Sequence, residues 1–448
     1  MTTPNILFLF PDQWRWDWLG CHESGIPVRT PNLDALAARG VRFEQCRTNA
    51  PVCAPARACL STGKRIENCG VPSNKEVCDP SRTTVWQLLR QVGYRVATCG
   101  KNDLHKGDQH FTASGWQPLL GKLGFTEAIE HAGKWDFFAL AKNRNPEMLQ
   151  GHLAEAGVLD AYLADMSRRA GIRSNEKRRD HAPMLIDRQH YTDDVCGANA
   201  LRLLAGFPDA QPWTLWVNFP GPHEPFDPPL ELAERYTDVE FPHPINPQAG
   251  PDNHQGVRRN YAAMIDGIDE WCGRIIAAIE ERGELDNTLI VFCSDHGELL
   301  GDHGLWYKGR PQEGSVHVPL IVAGAGVERH GAVSQALVEL IDICATMLQA
   351  ADIPIPVDME ARPLQNCLSA QAADATDSEH REIQVMALYD WRAICDHRYK
   401  YVRYDDGRQL LYDRIADPGE LEDLSGSLPE IVRSLGHRLE LETRAVAG

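Results

Sequence analysis

Asn5-Ile6-Leu7-Phe8-Leu9-Phe10-Pro11-Asp12-Gln13 is a short apolar run that a proline stops and an acid–amide pair follows. Ile6 to Phe10 leave no polar face, the pattern of a strand buried inside a sheet. No basic segment precedes the run and it is too short to span a membrane, so a first core strand is expected, not a signal peptide. The same shape recurs: Tyr94–Thr98 leads to Lys101, Trp213–Phe219 to His223, and Thr288–Cys293 to Asp295-His296. Helical patterns lie between. Thr30 can cap a helix with Pro31 at its first position, Leu33, Leu36 and Ala37 on one face and Gly40 past its end. Val85–Val92 and Asp193–Ala205 read as helices, and Arg258–Arg282 repeats apolar residues at threes and fours before Gly283. Strands alternating with helices predict an α/β fold, a large mostly parallel sheet flanked by helices. In such sheets ligands bind beyond the carboxyl ends of the strands, where these polar groups fall.

The chain has 448 residues and a net charge of -18. That charge repels phosphate backbones and anionic lipid, which argues against nucleic acid and membrane partners. A small anion stays open as a ligand, because a few local cations can reverse the field in one pocket. With no export signal the expected compartment is the cytoplasm, where the 13 cysteines stay mostly reduced. Cys46, Cys53, Cys59, Cys69 and Cys78 crowd one region without a Cys-x-x-Cys pair, so no zinc cluster is expected. A homo-oligomer is left open.

Past Pro354 the texture changes. Gln371–Glu382 reads as a polar loop. Gln384–Leu388, Trp391–Asp396, Tyr399–Tyr404 and Gln409–Asp413 read as short antiparallel strands, with a last helix from about Leu428. The expected division is a catalytic domain over 1–355 and a smaller C-terminal α+β subdomain over 356–448. Phe137–Arg188, with a basic run from Arg168 to Arg179, and the Pro-rich Phe226–Asn253 read as insertions beside candidate site elements: either lids or, for most of their residues, solvated helix and surface loop. Trp14, Trp16, Trp18, Trp135 and Trp306 are candidates for an aromatic wall, or for packing.

Two carboxylates, an amide oxygen and an imidazole at strand ends (Asp12, Gln13, Asp295, His296) make a donor set for one divalent cation. Cys53-Ala54-Pro55-Ala56-Arg57 reads as a cysteine just ahead of a helix that Pro55 begins. The free N–H groups there suit an anion.

The run Cys53–Gly63, CAPARACLSTG, closely resembles the signature of the type I, formylglycine-dependent sulfatases of the alkaline phosphatase superfamily. The resemblance implies the alkaline-phosphatase-like fold and hydrolysis of a sulfate monoester. It implies that a formylglycine-generating enzyme oxidises Cys53 to an aldehyde, whose hydrate attacks with one hydroxyl and eliminates sulfate with the other. Cys53 joins the metal set, and Arg57 is expected to pair with the ionised diol. Gln13 and His296 stand where many members have an acid and Asn. Both substitutions recur in the phosphonate monoester hydrolase and choline sulfatase branches, and the imidazole makes Mn²⁺ a competitor to Ca²⁺. Lys101 matches the family's Gly-Lys segment, but Asp103 stands where a His is usual, and His105 is the displaced candidate for that contact. His223 resembles the acid for the leaving oxygen, Lys308 the clamp on a sulfate oxygen, and Asn74 a residue kept near the nucleophile. The tail from His397 to Glu420 resembles the sulfatase C-terminal subdomain. The alternatives are a phosphonate monoester or phosphodiester hydrolase on the same scaffold, and a non-catalytic member of the fold.

Overall fold

A computed structural model describes residues 3–108, 110–143, 147–174, 180–247, 254–372 and 380–443. The end of the basic run (175–179), the end of the Pro-rich stretch (248–253) and most of the polar loop (373–379) lie outside the described residues.

The larger sheet holds β1 (Asn5–Leu9), β2 (Gly40–Arg47), β3 (Arg95–Gly100), β4 (Glu127–Glu130), β5 (Trp213–Asn218), β6 (Thr288–Cys293), β7 (Leu320–Gly324) and β8 (Ala332–Glu339). Its 8 strands follow the order β4-β3-β5-β1-β6-β7-β2-β8. β7 alone runs against its neighbours, and the other pairs are parallel. The alternation along β1 divides the core. Ile6, Phe8 and Phe10 pack under the helices Cys53–Thr62, Val85–Gln91 and Asp342–Ala350. Leu7 and Leu9 pack under Pro31–Ala38, Thr192–Ala205 and His254–Glu281. β1 is thus covered on both faces, which is why Ile6 to Leu9 carry no polar side chain.

Thr30 precedes the helix Pro31–Ala38 without capping it by a side-chain bond. Its hydroxyl instead accepts from the Gly20 N–H at 2.8 Å and donates to Asp34 at 2.8 Å. Gly40 lies just past the helix end, as expected, and also opens β2, where a side chain would strike the Val322 carbonyl. Among the residues read as an insertion, the helices Lys134–Lys142, Met148–Glu155 and Leu159–Ser174 build a separate small core around Phe137, Leu149 and Tyr162. Among the described residues no helix is long and apolar enough to cross a membrane. All cysteines are free.

The second sheet has 4 antiparallel strands in the order β12-β11-β10-β9. They are β9 (Gln384–Leu388), β10 (Trp391–Cys395), β11 (Tyr399–Tyr404) and β12 (Gln409–Asp413), and the helix Pro429–Glu442 covers Val385, Ile394 and Leu411. Buried ions tie this sheet to the larger one. Glu339, ending β8, accepts from Arg65 at 2.8 Å and from the Val385 N–H of β9 at 2.9 Å. Arg381 donates to Asp342 at 2.7 Å. Both members of that pair are buried, so truncating one strands the other's charge. Arg381→Met should therefore cost roughly 3–5 kcal/mol, read as a lower midpoint in denaturant melts with an unchanged slope.

Candidate active site

The carboxyl ends of β1, β3, β5 and β6 meet over the start of the helix Cys53–Thr62. The Asp12 N–H donates to the Phe219 and Gly221 carbonyls, each at 3.0 Å, stitching the turn after β1 to the turn after β5. The Lys101 N–H donates to the Asn218 carbonyl at 2.9 Å. These bonds fix where the side chains beyond each strand emerge.

Asp12, Cys53, Asp295 and His296 are all buried and bring one ligand atom each to within 4.8 Å of the others. It is the one such group among the described residues. Cys53 Sγ lies 3.3 Å from His296 Nε2, 3.7 Å from Asp12 Oδ1 and 3.3 Å from Lys101 Nζ. His296 Nδ1 faces the Gly297 carbonyl at 3.1 Å, which leaves the Nε2 lone pair turned to the cluster. Burial, against the pull of Asp295, holds the imidazole below its ordinary pKa and so neutral, the form that ligates a metal. Converging buried carboxylates and a neutral imidazole fit a divalent cation. Burial alone would raise Asp12, but Lys101, His223, His296 and Arg57 together hold it well below the usual carboxylate range.

The helix begins at Cys53 itself, with Val52 extended before it, so Pro55 sits inside the first turn rather than opening it. Asn74 Oδ1 accepts from the Ala54 N–H at 3.0 Å, closing that helix start from outside. The Arg57 guanidinium donates to Asp295 at 3.0 Å, Asp12 at 3.3 Å, Asn218 Oδ1 at 2.8 Å and the Lys101 carbonyl at 2.5 Å. With every arm engaged, it holds the two carboxylates in place.

Lys101 Nζ also donates to Asp12 Oδ2 and lies 3.2 Å from Asp103. Asp103 has a φ of 55°, and this left-handed turn swings its carboxylate back to Lys101 and Lys106. Downstream, His105 ends on the far side. Its Nε2 meets Glu130 at 2.6 Å and its Nδ1 meets Asp108 at 3.0 Å. Burial would lower its pKa, but Glu130 and Asp108 outweigh it and push it up to about 10. The expectation that His105 replaces the usual contact is corrected by this geometry: its ring is spent on two carboxylates.

His223 lies beyond β5, with Nδ1 2.6 Å from the Glu224 carbonyl and 2.9 Å from the Glu224 carboxylate. Burial opposes its charge, but Glu224, Asp12 and a hydrogen bond to Cys53 raise its pKa above the ordinary histidine value. Its loop is braced by Lys134, which donates to Asp227 at 2.6 Å, Tyr191 at 2.7 Å and the Pro225 carbonyl at 3.2 Å. Lys308 donates to Gln13 Oε1 and lies 3.9 Å from Glu224. Gln13 Nε2 donates to Glu298 and, at 3.4 Å, to Glu224. Burial, with Glu224 nearby, pushes the Glu298 carboxyl up to about 7.

Among the tryptophan candidates, Trp135 lines a small cavity together with Lys101, Lys106 and His223, and Trp306 packs partly buried against the core. Trp14 and Trp18 are core residues, and Trp16 stacks on His317 at 4.2 Å. Sequence reasoning gave no role to Asn218, Glu224, Glu298 or the Lys134 brace. Glu224 and Glu298 each adjoin a motif, in Pro-His-Glu-Pro and Asp-His-Gly-Glu, and that adjacency was the available signal.

Residues 4–353 match the family model described as Sulfatase. Residues 301–444 match the one described as N-sulphoglucosamine sulphohydrolase, C-terminal. The multifunctional alkaline phosphatase superfamily protein PehA of Trinickia caryophylli is 28% identical over 95% of this chain and 92% of its own length. An arylsulfatase of Clostridium perfringens is 28% identical over 95% and 90%. The solved phosphonate monoester hydrolase of Silicibacter pomeroyi superposes with a TM-score of 0.79 at 22% identity, covering 98% of this chain and 94% of that one. With most of its length matched by the family model, and with the fold of its alkaline phosphatase superfamily, the chain belongs to the sulfatase family of sulfuric ester hydrolases.

Proposed function

We propose that this chain hydrolyses a sulfate monoester with Cys53, matured to formylglycine by a partner enzyme, as its nucleophile. Asp12, Gln13, Asp295 and His296 hold one divalent cation beside it. The observation that carries the reading is the position of Cys53 at a helix start, within 3.3 Å of both Lys101 Nζ and His296 Nε2. When present, the hydrated aldehyde supplies an oxygen nucleophile with an exit that a thiol lacks, and the cation supplies Lewis-acid polarisation of the ester oxygens. Lys101 balances Asp12 and turns positive charge on the nucleophile. Arg57 locks Asp12 and Asp295 in place. His223, held protonated, gives its proton to the leaving oxygen, and Lys308 clamps a sulfate oxygen. Fixed charges in a buried site need no reorganisation, so they are the dominant contribution to rate. The catalytic domain of this reading is 1–355, with 356–448 as the C-terminal subdomain.

The donor set suits Ca²⁺ and, through the imidazole, Mn²⁺. Chelator-stripped protein should take up one cation per chain, and Asp295→Asn should abolish tight uptake. Titration calorimetry with each metal checks both, and unchanged uptake in that variant would remove the site from the mechanism. The pairing of Gln13 with His296, beside Asn74 at the helix start, keeps a phosphonate monoester or phosphodiester hydrolase as the second reading. Matched aryl sulfates, phosphates and phosphonates decide between them: a higher kcat/KM on the phosphonate would replace the sulfate reading.

A further inference from the structure

We infer that Glu298, with Glu224 beside it, is a positioning residue that fixes which end of the Gln13 amide faces the cation site; this rests on the metal reading above. A glutamine amide has nearly the same shape either way round, but only its carbonyl oxygen ligates a cation. Two neighbours set the orientation, and they agree. Lys308, which can only donate, contacts Oε1. The carboxylates of Glu298 and Glu224 accept from Nε2. Glu298 has no freedom to reverse this. Its other oxygen takes the Leu300 N–H at 3.1 Å and the Tyr307 N–H at 2.5 Å, and its side chain is fully buried. Gln13 itself sits at a φ of 70° with its N–H on Asp295 at 3.0 Å, so the backbone cannot move to compensate.

The consequence is specific to residue chemistry. In Glu298→Gln, the two backbone N–H donors claim the new amide's carbonyl, and its NH₂ faces Gln13. That NH₂ opposes the Gln13 Nε2 donor and, against Lys308 and Glu224, draws the amide toward the reversed orientation that presents N–H groups to the cation. Gln13→Glu alone sets a third carboxylate against Glu298 and Glu224. Combined with Glu298→Gln, the new carboxylate meets an N–H donor and regains an oxygen for the cation.

The test is titration calorimetry of the chelator-stripped full chain with Mn²⁺ and with Ca²⁺. Thermal melting of each apo variant is run in parallel. Glu298→Gln should weaken binding about 10–100-fold, the usual scale for losing a partner of a metal ligand. The double variant should bind more tightly than either single one. Unchanged affinity in Glu298→Gln, with wild type binding normally, would overturn the inference and leave the metal reading intact. No binding by wild type would overturn both. Should Glu298→Gln lower the melting temperature, the double variant still decides, because a merely structural role predicts no recovery when Gln13→Glu is added.

Discussion

Cys53→Ala should fold as the parent does and turn over no sulfate ester above background. Alanine is the best helix former, and the site lies on the first turn of the helix Cys53–Thr62 between Val52 and Ala54. The surrounding ion network does not depend on the sulfur: Arg57 joins Asp12 to Asp295, and Lys101 reaches Asp12, without it. The expected loss is on the order of 10⁶-fold, the scale seen when a nucleophile that acts as a unit with its partners is deleted. An unconverted thiol should be no better, because sulfuryl transfer to sulfur leaves no easy exit. Activity of the wild-type chain should therefore rise in proportion to the fraction of Cys53 found as formylglycine by peptide mass analysis. Full turnover in Cys53→Ala, or in a preparation carrying only the thiol, would end the nucleophile assignment.

The layered sheet was legible because burial on both faces leaves a mark. β1, β5 and β6 are runs without a polar face, and their ends carry Asp12, His223 and Asp295-His296. The C-terminal strands were legible to the residue or nearly so, since turn residues such as Asp405-Asp406-Gly407 punctuate them. β2, β7 and β8 were not separated from their surroundings. Gly40 was legible as the residue past a helix end, but its second duty, close approach to Val322, is a tertiary fact. The reversed direction of β7 depends on which strands it pairs with, and no local pattern encodes that. The same holds inside the site. Residue types predicted that Asp12, Gln13, Asp295 and His296 could share a cation, and the fold brings Asp12, Asp295 and His296 together with Cys53. Sequence order could not foresee that one left-handed residue, Asp103, would aim its own carboxylate at Lys101 and send His105 to Glu130. Nor could it foresee that Arg57 would be consumed by carboxylates.

His223→Ala and Lys308→Ala should separate by leaving group. His223 hangs in a loop braced by Lys134 and faces Cys53, and neighbouring Glu224 and Asp12 favour its charged form against burial. It has a proton to give and a fixed place from which to give it. A proton matters when the departing oxygen is basic and hardly matters when it is a nitrophenolate. The variant should therefore lose about 10²–10⁴-fold on an alkyl sulfate, the usual scale of general acid catalysis, and far less on nitrophenyl sulfate. Lys308 lies against Gln13 Oε1, and in the proposed mechanism it meets the transferred group. The sulfuryl oxygens carry charge whatever alcohol departs, so Lys308→Ala should slow both substrates by similar factors. The measurement is a plot of log kcat/KM against leaving-group pKa for the parent and both variants. A steeper slope for His223→Ala beside a parallel line for Lys308→Ala supports the division of labour. Parallel lines for both would mean that His223 positions the loop or the sulfate and donates no proton.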